Sequence, residues 1–113
     1  MLEESSFTSG SYWMELLKRH NWMPWKRHML AILRDLELEK YIEKDAILPE
    51  PTDKANLTQD EKEAKKKWKE GDMKARTCIE LSIGDLEMIH ISSADSARGM
   101  WDLIQSMLRD EAL

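Results

Sequence analysis

Not one valine occurs in the 113 residues, and glycine and proline number only four and three. The residues that fill the chain instead, among them Ala, Leu, Glu, Lys, Met and Arg, lose little rotamer freedom in a helix. No stretch alternates cleanly between apolar and polar side chains over the length of a half-buried strand. The expected fold class is therefore all-α, a small orthogonal bundle of four to five helices. The length suits one domain, since single cores commonly run to about 100–150 residues. It also suffices to bury a core without metal or disulfide staples. The expected organisation is a mobile N-terminal tail over residues 1–11, one helical domain over 12–110 and a C-terminal end at 111–113.

Hydrophobic spacing places the helices. Residues 12–19 read as a short helix with Tyr12, Trp13, Leu16 and Leu17 on one side. Pro24 suits a first helical turn, where its missing N–H would be unpaired anyway. After it, Trp25, Met29, Ile32, Leu33 and Leu36 form one apolar stripe at helical spacing, and Leu38, Tyr41 and Ile42 continue as a short turn. Residues 45–57, with Pro49 and Pro51, form a surface loop. Thr58-Gln-Asp-Glu61 is a capping box that opens a long helix ending at Ser82 or Ile83. Its inner stripe is Ala64, Trp68, Gly71, Ala75, Cys78, Ile79 and Ser82. Gly84 is expected to stop it in a left-handed conformation. Residues 85–91 form a short apolar helix. Ser96, with Ser93 as an alternative, caps a last helix whose stripe is Ala97, Met100, Trp101, Ile104 and Leu108.

Charge and chemistry narrow the function. A net charge of -5 argues against coating nucleic acid by bulk charge. The charge is unevenly placed. Lys18, Arg19, Lys26 and Arg27 form a basic segment over residues 18–28, whereas the chain beyond Gly84 is acidic, a polarity that suits head-to-tail association. The lysines at 65–67 and 69 lie among acids and read as a solvated salt-bridge face. His20, His28 and His90 lack the spacing of a helical metal site, and Cys78 has no base beside it in sequence. No phosphate loop, nucleophile elbow or matched carboxylate pair occurs. No enzyme, cofactor, metal or small-molecule substrate is expected. No stretch approaches a membrane span and the opening residues lack a signal-peptide pattern, so a cytoplasmic protein without membrane contact is expected. Trp25, Trp68 and Trp101 read as core, while Trp13 and Trp22 flank the basic segment and are candidates for base stacking or partner contact.

Four pieces in order resemble the Gag polypeptide of copia-type LTR retrotransposons, in a fungal-like form. The first is an aromatic followed by W-K-x-x-M-x-x-x-L, here Trp25, Lys26, Met29 and Leu33. It continues through Leu38-Glu-Lys-Tyr-Ile-Glu and the Pro-containing loop. Next come Trp68 and a D-x-K-A-x-x-x-I-x-L-S-I run at Asp72, Lys74, Ala75, Ile79, Leu81, Ser82 and Ile83. The last is A-x-x-M-W-D-L, from Ala97 to Leu103. The resemblance implies a capsid-like helical domain that self-associates toward virus-like particles, with Trp25, Met29, Leu33, Trp68, Ile79 and Trp101 as structural core. The partners it implies are further Gag chains. RNA contact through Lys18, Arg19, Lys26 and Arg27 is the alternative, as is a truncated, host-adopted fragment that modulates assembly of full-length Gag. The sequence carries no zinc knuckle, protease, integrase or reverse transcriptase motif.

Overall fold

The computed structural model describes the backbone of residues 6–9 and 12–112 and the side chains of residues 12–108. The architecture is mainly helical, with one two-stranded antiparallel ribbon at its start. Strands β1 (Ser6–Ser9) and β2 (Tyr12–Glu15) pair with Ser6 opposite Glu15 and Ser9 opposite Tyr12. Helix α1 (Trp22–Asp35) and a 3₁₀ turn (Glu39–Ile42) follow. Then come the long α2 (Gln59–Leu81), the short α3 (Asp85–Ile91) and α4 (Ala97–Ala112). Of the expected N-terminal tail, residues 6–9 are β1, and residues 1–5, 10 and 11 lie outside the described residues.

The expected helix over residues 12–19 is corrected. Tyr12–Glu15 is a strand, and Leu17 makes an isolated parallel bridge to Ile83 beyond the end of α2. Burial explains why. Met14 is buried between the exposed Trp13 and Glu15, an alternation too brief to stand out in the sequence, and Leu17 is buried where it bridges to Ile83. Asn21 closes the link to α1: its side-chain oxygen accepts the Lys18 N–H at 2.7 Å and its amide donates to the Leu16 carbonyl at 2.9 Å.

Helix α1 ends in a Schellman motif. The Leu38 N–H donates to the Leu33 carbonyl and the Glu37 N–H to that of Arg34, while Leu33 and Leu38 are both buried. Glu37 occupies the left-handed position with φ of 61°, where glycine is the usual residue. Gly84 has φ of -68° and is instead the N-cap of α3, which corrects its expected left-handed stop.

The capping box of α2 forms as expected. Glu61 N–H donates to the Thr58 hydroxyl at 3.1 Å, and the Glu61 carboxylate accepts the Thr58 N–H at 3.0 Å. It also accepts the Thr52 N–H, and these donors hold the Glu61 carboxyl below its ordinary range. The first half of α2 projects from the core: Ala64, expected on the inner stripe, is exposed, and burial begins at Gly71 and Asp72.

Helix α4 is started by two acceptors. Ser96 Oγ accepts the Gly99 N–H at 3.0 Å, which settles the cap on Ser96. The buried Asp72 carboxylate, from α2, accepts the Ala97 N–H at 2.9 Å, placing a negative charge at the positive end of α4. Arg98 in turn donates to the Ile42 carbonyl at 2.8 Å, tying α4 to the 3₁₀ turn.

Two substitutions test this account. Glu37→Gly is expected to stabilise the fold by about 1 kcal/mol, because it relieves the left-handed strain. Gly71→Ala normally gains about 1 kcal/mol inside a helix. Here its methyl would collide with the buried Tyr41 ring, so a net loss of about 1–3 kcal/mol is expected. Urea denaturation followed by circular dichroism reads both; a stabilised Gly71→Ala variant would refute the close packing of Tyr41 on α2.

Candidate interaction surfaces

The tryptophans sort by depth. Trp25 and Trp101 are buried and stack with centroids 5.8 Å apart, and the half-buried Trp22 stacks on Trp25 at 5.9 Å. Such pairs contribute about 0.5–1.5 kcal/mol each beyond the area they bury. The Trp25 indole N–H donates to the Ser82 carbonyl at 2.8 Å, so the ring is polar-satisfied as well as packed. Met29, Leu33 and Ile79 are fully buried in the same cluster. Trp68 is half-buried, lying edge-on to Tyr41 at the outer end of the core. Trp13 is 63% exposed on β2.

The four basic residues of the 18–28 segment have different neighbours. Lys26 lies over the Trp22 ring, 5.5 Å from its centroid. Lys18 borders a groove that also holds Glu80 and Asp85, and Arg19 borders one lined by Glu87 and His90. Arg27 is exposed on α1.

The clearest basic surface is on α2, and it departs from the expected salt-bridge face. Among the described residues, no lysine between 62 and 74 has a carboxylate oxygen within 4.0 Å. Three of the neighbouring acids are engaged elsewhere, while Asp60 and Glu70 stay exposed. Glu61 closes the capping box, Glu63 accepts from Gln59 and Asp72 is turned inward to α4. Lys62, Lys65, Lys66 and Lys69 instead wall a shallow groove of about 650 Å³ with Leu57 and the exposed Met73 on its floor. Lysine stems supply apolar surface while their ammonium groups stay in water.

A second exposed patch lies where α2 passes into α3. Leu81, Leu86 and Ile89 are 56%, 73% and 68% exposed, with the exposed acids Glu80 and Asp85 beside them. Scattered surface leucines are ordinary, but three large side chains grouped around one helix junction form a patch.

Among the described residues, no three His, Cys, Asp or Glu side chains converge as metal ligands, and no helix is long and apolar enough to cross a membrane. Cys78 is half-buried beside the 3₁₀ turn, and burial raises its thiol above the ordinary value. No protein-family model, no curated protein and no solved structure matches this chain.

The raised thiol gives a direct check. At neutral pH the native chain should react with a disulfide reagent about tenfold or more slowly than the urea-unfolded chain, because less thiolate is present and access is reduced. Equal rates would mean that Cys78 is open to solvent and not packed between α2 and the 3₁₀ turn.

Proposed function

We propose that this chain is a structural interaction domain of the copia-type Gag kind, which self-associates in the manner of a capsid subunit. The observation that carries the reading is where the motif residues lie. Trp25, Met29, Leu33, Ile79 and Trp101, drawn from separate pieces of the Gag-like pattern, are buried in one contiguous cluster. The pattern therefore describes a shared interior rather than a pocket for a small ligand. Outside that interior, large apolar side chains stand in solvent at Trp13, Met73, Leu81, Leu86 and Ile89. Surfaces of this kind suit weak contacts repeated many times, which together give a stable assembly.

The alternative, RNA contact through Lys18, Arg19, Lys26 and Arg27, draws less support. Two of those residues border α3, and a third lies over an indole ring on α1.

Sedimentation equilibrium across about 10 μM to about 1 mM tests the proposal, since single capsid-type contacts fall in that affinity range. The weight-average mass should rise above that of the monomer and fall again on dilution. A strict monomer at the upper limit would overturn it.

A further inference from the structure

Self-association leaves open which surfaces meet, and two patches described above differ in charge and in place. The groove on the first half of α2 is apolar at Leu57 and Met73 and walled by lysines, with Glu70 as the acid on its rim. The ridge at Leu81, Leu86 and Ile89 is apolar; Glu80, Asp85 and Lys18 flank its Leu81–Leu86 end, and Arg19 and His90 border its Leu86–Ile89 end. Neither patch can cover the other within one chain. Lys66 and Leu81 belong to one continuous helix, and the 15 steps from one to the other, at about 1.5 Å each, hold them about 22 Å apart.

We propose that the ridge of one copy docks in the lysine-walled groove of the next. The reading rests on the self-association proposed above and names its surfaces. Three features favour a second copy as the occupant. The groove offers unpaired ammonium groups, and the Leu81 end of the ridge brings the Glu80 and Asp85 carboxylates to them. Leu86 and Ile89 are three apart on α3, so they project from one helix face, as a ridge entering a groove requires. The two patches lie on different parts of the same chain, so the contact is heterologous. Each docked pair keeps one free groove and one free ridge, and the contact propagates into a ring or an open chain.

Complementary variants test this. Lys66→Glu with Lys69→Glu spoils the groove but leaves the ridge; Leu86→Lys with Ile89→Lys spoils the ridge but leaves the groove. All four side chains are exposed, and circular dichroism checks that each variant folds. If the ridge variant loses helix, Leu86→Ala with Ile89→Ala replaces it. Each variant by itself should associate at least tenfold more weakly than the unaltered chain. An equimolar mixture should regain a contact and stop at the heterodimer, because only one good groove and one good ridge remain. If the unaltered chain associates but a single variant associates equally well, or the mixture stays monomeric, the docking is overturned while self-association stands. If the unaltered chain is monomeric throughout, both fall. Labelled single-stranded RNA retained by the unaltered chain and lost by the groove variant, without any rise in mass, would assign the lysines to phosphate and overturn the docking as well.

Discussion

The carbonyl oxygen of Ser82 lies at the end of α2, where a helix leaves its last acceptors without intrahelical donors. Ser82 is fully buried, so water cannot supply the missing partners. Two donors from elsewhere in the chain do so: the Leu17 N–H at 2.8 Å and the Trp25 indole N–H at 2.8 Å. A carbonyl has two lone pairs, and both are used. Through this one group the segment after the ribbon, the first turn of α1 and the last turn of α2 are fixed to one another. Trp25 then carries the constraint to α4 by stacking on Trp101. Loss of either donor would leave a buried acceptor with less than its share, a cost of about 1–3 kcal/mol.

What the sequence makes legible is what depends on near neighbours. The stripe from Trp25 to Leu33, the Thr58–Glu61 capping box and the stripe from Ala97 to Leu108 are set by residues three or four apart, and each forms where the spacing places it. Local helix propensity and the buried face agree there. Leu36 marks where that agreement ends, since it is the C-cap of α1 and exposed.

The features that are not legible depend on partners far along the chain. Residues 12–15 are a strand because β1 pairs with them and because the interior takes Met14 and Leu17, not because their composition demands it. Glu37 tolerates a left-handed conformation because Leu38 must return to pack on Leu33. Asp72 carried a usable signal: it stands three residues before Ala75 and seven before Ile79, on the buried stripe. A carboxylate there needs a donor, and only the folded chain shows that the donor is the Ala97 N–H, 25 residues away.

The same long-range demand shapes the surface. Counted along the chain, the six acids of α2 match its six lysines, so a helix in isolation could pair them at three- and four-residue spacing. Folding withdraws two of the six acids. Glu61 is held by Thr58 and Thr52 from the preceding loop, and Asp72 is drawn to the start of α4. The lysines have no comparable use inside the fold, and they remain without carboxylate partners around an apolar floor. The use of those two acids at helix ends leaves the face more basic than the count along the chain suggests. A surface that carries both apolar side chains and carboxylates would complement this face on both counts, which is what the proposed docking supplies.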